Sequence, residues 1–358
     1  MAQDRSRFKA RSATAQFEVL RAPGENVSWK GARLADSDLS MAGKVCLVTG
    51  ATAGIGRVTA RELARRGATV IVVGRSPERC APAVSEIQRD TGNGSVECLT
   101  ADLSSQQELR RLVGEFKSRH RRLDVLVNNV GALFALRCES ADGIEMTLAL
   151  NHLGPFLLTN LLLDTLESSA PARVVNVSSS AHRDVRGFDF DDPQAMKRRR
   201  GPGTYGRSNL SSLLFTLFLP QKHPGFLQYA QSKLANLLFT NELAKRFQGT
   251  GVTANALDPG MVASGFTAGN GAYGWFMRRW VGLLGKSAEE GAETSIYLAT
   301  APEVATVTGR YFVKRKEVLS SPSSRDESAA RQLWRLSEEL TRVPASVTAG
   351  LRETHGAR

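Results

Sequence analysis

Short apolar runs rich in β-branched residues alternate along this chain with longer stretches whose apolar positions recur at helical spacing. The first run, 44–49, ends at a glycine, and the helical pattern over 55–66 closes at Gly67. Residues 68–73 form a second β-branched run. A β-α-β succession in about 30 residues is the unit of right-handed parallel crossovers. The alternation continues with a helix over 78–91, a strand over 95–101, a helix over 106–118 and a strand over 123–127. One long helix over 143–168 and a strand over 172–178 follow. Beyond an irregular stretch come a helix over 229–247, a strand over 252–257 and a last strand over 310–313. Leu333, Leu336 and Leu340 recur at helical spacing in a closing helix over 327–340. About seven strands alternating with helices predict a single α/β domain, a doubly wound parallel sheet covered on both faces.

Length and composition set the frame around that domain. A chain of 358 residues fits one large domain with appendages, and 42% apolar residues suffice for a substantial core. The pattern divides the chain into a polar N-terminal extension (1–40), the main domain (41–320) with an insertion near 195–228, a C-terminal helix (321–343) and a tail (344–358). No run approaches the roughly 20 apolar residues of a membrane helix, and the first residues lack the apolar core of a secretory signal. Cys46, Cys80, Cys98 and Cys138 are scattered, which predicts reduced thiols in a reducing compartment rather than a disulfide frame or zinc site. Cytoplasmic residence is expected, with peripheral membrane contact left open. The net charge of +12 favours anionic partners in general. The basic run at 197–200 reads more simply as a solvated loop, so no specific nucleic-acid partner is expected.

Gly50-x-x-x-Gly54-x-Gly56 lies between the first strand and helix, the context of a Rossmann-type dinucleotide turn. Gly50 permits a sharp turn, and Gly54, Ile55, Gly56 and Arg57 open the helix whose N-terminus meets a pyrophosphate. At the end of the second strand, where NAD sites commonly carry an acid, this chain has Arg75. A guanidinium attracts the 2′-phosphate of NADP(H), and NADP(H) is therefore the expected cofactor. Asp102 after the third strand either bonds the adenine amino group or caps the next helix. Asn128-Asn-Val-Gly131 is placed to pass beside the cofactor.

Tyr229 and Lys233 stand four residues apart on one predicted helix, so phenol and ammonium share a face. The segment 205–216 parallels 229–240, with seven of twelve positions identical at an offset of 24 residues. The first copy has Asn209 where the second has Lys233, and an uncharged amide cannot favour a phenolate. Tyr229 is therefore the expected site residue, and the first copy an added helix or loop.

These motifs resemble the short-chain dehydrogenase/reductase family over about residues 42–340, and Asn151-His-Leu-Gly-Pro-Phe156 and Val177-Ser-Ser-Ser-Ala-His182 look like its retinol-dehydrogenase-like branch, which includes WW-domain oxidoreductases. The resemblance implies a catalytic tetrad of Asn151, Ser179, Tyr229 and Lys233. Tyr229 would act as general acid in reduction and general base in oxidation. Lowering a phenol's pKa by about three units takes roughly 4 kcal/mol of differential stabilisation, which Lys233 and the nicotinamide charge would supply. Ser179 would bond the substrate oxygen, Asn151 would hold a relay water, and Pro259, Gly260 and Val262 would shape the loop around the nicotinamide. The branch often carries an N-terminal membrane anchor, which is not expected from these residues, and the gap from Ser179 to Tyr229 is longer than its members'.

Between Met261 and Ala288, Phe266, Tyr273, Trp275, Phe276, Trp280 and Leu283 make an apolar, aromatic segment that reads as a substrate lid, as a helix packed on the domain or a partner subunit, or as an amphipathic surface-binding helix. The expected function is an NADP(H)-dependent interconversion of a lipophilic alcohol and its aldehyde or ketone. The alternative is a cofactor-binding regulatory protein whose turnover the duplication impairs. A homo-oligomer is compatible with either.

Overall fold

The computed structural model describes residues 40–197, 224–262 and 285–343, all within one compact unit, Asp36–Arg358. The strands are β1 (Val45–Thr49), β2 (Thr69–Gly74), β3 (Val96–Thr100), β4 (Val125–Asn128), β5 (Ala172–Val177), β6 (Val252–Asp258), β7 (Tyr311–Val313) and β8 (Lys316–Glu317). They form one sheet in the order β3-β2-β1-β4-β5-β6-β7-β8, parallel except for the β7–β8 pair. The chain order reverses between β1 and β4. A crevice therefore opens there beyond the strands' carboxyl ends, the usual ligand position in such sheets.

The helices are α1 (Gly54–Arg65), α2 (Pro77–Thr91), α3 (Gln106–Arg119), α4 (Met146–Leu148), α5 (Gly154–Leu161), α6 (Leu163–Ser168), α7 (Pro224–Arg246), α8 (Ala288–Thr300) and α9 (Glu327–Thr341). Alternate strand residues feed two cores. Leu47, Ile71, Leu99 and Leu126 face Leu112, Phe116, Phe156, Phe239 and Trp334 on one side. Cys46, Val48, Val70 and Val72 face Leu63, Ile87 and Leu298 on the other. Burial on both faces explains the nearly unbroken apolar strands. Caps fix the helix starts: Ser105 accepts from the Glu108 amide, Asp326 from Ser328 and Ala329, and Ser287 with Glu290 forms a capping box.

Four expectations are corrected. The single helix over 143–168 is broken: α4 runs into a π-turn at Ala149–Leu153, then α5 and α6. Close packing accompanies the break, since a Cβ on Gly154 would lie 2.5 Å from the Leu103 carbonyl oxygen. α7 starts at Pro224, ahead of Tyr229, so Tyr229 and Lys233 lie within the helix rather than at its start. α8 and the two-residue β8 had no assigned signal in the sequence. Cys80 on α2 and Cys98 on β3 are disulfide-bonded, with Cα atoms 6.0 Å apart, while Cys46 and Cys138 are free thiols. The first pair was expected to be reduced; α2 folds back to pack against β3 and so brings together two cysteines 18 residues apart. The N-terminal extension, the 205–216 copy, most of the expected lid and the tail lie outside the described residues. Among the described residues no helix is long and apolar enough to cross a membrane.

Candidate active site

β1 delivers the chain into the glycine turn. Gly50 and Gly54 have φ of +66° and +56°, the left-handed region that disfavours side chains. A Cβ on Gly56 would lie 2.5 Å from Asn129 Nδ2 and 2.6 Å from the Gly50 carbonyl oxygen. The turn is held from β4: Asn129 Nδ2 donates to the Thr49 carbonyl, and the amides of Asn129 and Val130 donate to Thr49 Oγ1. α1 then begins at Gly54, with Ala53 at its N-cap, no side-chain cap and no acid in its first turn. An uncapped helix N-terminus behind a glycine cradle suits a dinucleotide pyrophosphate, and these residues fit that group.

The other expected nucleotide contacts are distributed unevenly. Ile55 is half-buried against the site of Gly291, while Arg57 pairs with Glu86 at 2.7 Å on the surface. Arg75 is exposed directly after β2 and forms no ion pair among the described residues. Asp102 is exposed, and its Oδ1 accepts from the amide and hydroxyl of Ser104. The cap of α3 is Ser105, so Asp102 does not cap that helix directly. The Asn128 amide turns into the core, donating to Thr159 Oγ1 and Asn176 Oδ1. Asn129 and Val130, next in the chain, are the residues that touch the glycine turn.

The catalytic candidates converge at the carboxyl ends of β4, β5 and β6. Tyr229 is 8% exposed and Lys233 3%, one turn apart on α7. Lys233 Nζ lies 5.5 Å from the centroid of the Tyr229 ring and donates to the Val177 carbonyl at 3.0 Å. A Cβ on Gly131 would come within 3.1 Å of that Nζ, so the β4 turn runs directly over the ammonium. Ser178 and Ser179 separate cleanly. Ser178 Oγ donates to the Lys233 carbonyl and is buried in the support of α7. Ser179 faces the site, hydrogen-bonded to the Tyr229 phenol. Asn151 sits in the π-turn with no exposure; its Nδ2 donates to the Ala132 carbonyl and Ser232 Oγ, and its Oδ1 accepts from the Ala132 amide. π-turns of this kind recur at functional sites. Pro259 and Gly260 follow β6, Gly260 at φ +80°, and Val262 bridges to Lys286. Lys286 N donates to the Met261 carbonyl, tying together the two described ends of the expected lid. Lys197, from the basic run, donates its amide to Asp192, and 198–200 lie outside the described residues.

Burial governs the ionisation of the pair. It pushes the Tyr229 phenol well above its ordinary value; the Ser179 hydrogen bond opposes this and the Asp258 carboxylate adds to it. It also lowers the Lys233 ammonium to about 8, against the attraction of Asp258. Asp258, at the end of β6, is 7% exposed and accepts from the Gly260 amide. Sequence reasoning did not single out Asp258, Asn129 or Ser232. Asp-Pro-Gly marks a turn, and that was the available signal for the first.

Fold and site together define a Rossmann-type α/β protein with a tyrosine–lysine centre beside a glycine turn. Residues 44–187 match the family model described as short chain dehydrogenase. The chain is 40% identical to human retinol dehydrogenase 13, across 86% of this chain and 88% of that one. It is 41% identical to human retinol dehydrogenase 12, across 85% and 88%. An uncharacterized protein from Mycobacterium paratuberculosis superposes with a TM-score of 0.63 at 32% identity, covering 87% of this chain and 98% of that one. The RhlG/NADP active-site complex of Pseudomonas aeruginosa gives 0.56 at 27% identity, covering 77% and 96%. The chain belongs to the short-chain dehydrogenase family, in its retinol-dehydrogenase-like branch. That family consists of oxidoreductases that use nicotinamide cofactors.

Proposed function

We propose that this protein is an NADP(H)-dependent oxidoreductase that interconverts a lipophilic alcohol and its aldehyde or ketone, with Tyr229 as the acid or base. The observation that carries this reading is the convergence of Ser179, Tyr229 and Lys233 beside the Gly131 turn. The nicotinamide, when bound, supplies or accepts the hydride. In reduction the Tyr229 phenol donates its proton to the carbonyl oxygen, and in oxidation the same oxygen takes the alcohol proton. Ser179 donates to the substrate oxygen as charge grows there. Lys233 stabilises the phenolate electrostatically and would also hold the nicotinamide ribose hydroxyls. Asn151 braces the Ala132 loop and Ser232; its side chain is committed to those partners, so a relay water would rest on the π-turn backbone.

Gly50, Gly54, Ile55 and Gly56 cradle the pyrophosphate, Arg75 receives the 2′-phosphate, and Asp102 presents its free carboxylate oxygen to the adenine side. Gly131, Pro259, Gly260 and Val262 line the nicotinamide end. Retinoids and comparable lipid aldehydes are the substrate class, supported by the names of the most similar relatives and by the aromatic composition of 263–284. The test combines NADPH fluorescence titration with turnover of an aldehyde panel that includes retinaldehyde. Turnover that Tyr229→Phe abolishes while NADPH binding persists supports the reading. Binding without turnover in the unaltered protein supports the regulatory alternative instead.

A further inference from the structure

We propose that His182 is a positioning residue of this site, holding the Ser179 carbonyl through Nδ1–H and tying that serine through Nε2 to the C-terminal segment at Ser321. The inference rests on the reading of Ser179 as donor to the substrate oxygen. His182 is fully buried in the 3-10 turn Ser180–Asp184, immediately beyond β5. Its Nδ1 lies 2.6 Å from the Ser179 carbonyl oxygen, and the Ser321 amide donates to Nε2 at 3.2 Å. A backbone amide can only donate. Nε2 is therefore the bare nitrogen and Nδ1 carries the proton that meets Ser179. One neutral tautomer satisfies both ring nitrogens.

The surroundings favour that form. The Tyr311 ring of β7 packs edge-on at 5.1 Å between centroids. Burial and the neighbouring Arg183 depress the basicity of the imidazole, against Asp184 on the same turn and Asp258 from β6. Ser321 is itself anchored: its hydroxyl accepts from the Ser324 amide at the start of the turn Pro322–Arg325. The Ser324 carbonyl in turn accepts from Asn241 Nδ2 on α7. The circuit His182–Ser321–Ser324–Asn241 thus runs from the serine at the end of β5 back to the helix that carries Tyr229 and Lys233. At Ser179 the backbone is extended, and Oγ accepts from the Ala181 amide, so its own proton is directed into the site. Pinning the Ser179 peptide fixes that direction, and a displacement of about 1 Å at such a group can cost on the order of a hundredfold in rate.

Two side chains divide the imidazole's roles. An asparagine amide occupies the Nδ1 position and keeps the donor to Ser179, whereas a glutamine amide occupies the Nε2 position and keeps the acceptor for Ser321. His182→Gln is expected to lower kcat about tenfold or more, and His182→Asn by no more than about threefold, with KM for NADPH unchanged in both. In a Ser179→Ala background, His182→Gln should cause no further loss. Equal losses in the two variants, or an additional loss on top of Ser179→Ala, would overturn the proposal. Imidazole 15N shifts of the unaltered protein, assigned by comparison with His182→Gln, provide a readout independent of turnover. A protonated Nδ1 with bare Nε2 at pH 7 is expected, and the reverse tautomer or an imidazolium contradicts the proposal. If the unaltered protein turns over no carbonyl compound, the proposed function fails while the 15N shifts still decide the placement of His182.

Discussion

The two halves of the sheet build their parts of the site from different materials. On the β1–β2–β3 side the cradle is mostly backbone: glycine turns, an uncapped helix start, and a clamp from Asn129 and Val130 to Thr49. Its charged side chains stand at the surface, as Arg57 with Glu86 does. On the β5–β6 side the centre is made of buried polar side chains, each committed to a carbonyl, amide or hydroxyl from a distant part of the chain. A backbone cradle tolerates surface change but not an added Cβ. A buried polar centre tolerates neither the loss of one member nor the loss of a partner, because an orphaned polar group there keeps its full desolvation penalty.

The contrast is sharpened most by Tyr229→Phe. It should lower kcat by about 10²–10⁴-fold, the range for a lost general acid, and leave NADPH affinity within about twofold. Steady-state turnover and cofactor fluorescence together separate the two halves. Next in size is a pH effect on the cofactor-free protein. Lys233 titrates near 8 when folded and at 10.5 in its ordinary state, so the unfolded chain holds the proton more tightly between those values. Stability should be lowest below about pH 8, rise by at most about 1.4 kcal/mol per pH unit up to about 10.5, and level off. Denaturant melts across that window should show the rise, and Lys233→Met should flatten it.

Gly56→Ala tests the backbone cradle. The new methyl would meet Asn129 Nδ2 and the Gly50 carbonyl, costing about 1–3 kcal/mol in stability, with weaker NADPH binding. Arg75→Glu should reverse the preference for NADPH over NADH by about tenfold or more while kcat with the better cofactor changes little, read from paired titrations. The smallest effect belongs to Arg57→Ala. Its half-exposed pair with Glu86 contributes less than about 1 kcal/mol, and a large drop in NADPH affinity would move Arg57 from the surface into the phosphate site.

The same division explains what could be read before the structure. The glycine turn and the Tyr229–Lys233 pair are local spacings, and local spacing survives folding. Ser179 could be favoured over Ser178 only by resemblance; in the structure Ser178 Oγ donates to the Lys233 carbonyl while Ser179 meets the Tyr229 phenol, a difference set by tertiary packing. Asn128 and Asn129 are equivalent in the sequence, and only sheet register turns the first toward Asn176 and the second toward Thr49. The bridge between Cys80 and Cys98 likewise depends on how α2 packs against β3. The break in the 143–168 helix coincides with the close approach of Gly154 to Leu103, a tertiary contact invisible to periodicity. His182 joins Ser179 to Ser321 across 139 positions of chain, a pairing that no spacing rule reaches.

The most direct test of the centre is a crystal structure with NADP and a bound lipophilic alcohol. The account predicts the Tyr229 hydroxyl and Ser179 Oγ both within hydrogen-bond distance of the alcohol oxygen, with Lys233 Nζ on the nicotinamide ribose. Tyr205 in that position, with Tyr229 turned away from the alcohol, would contradict it.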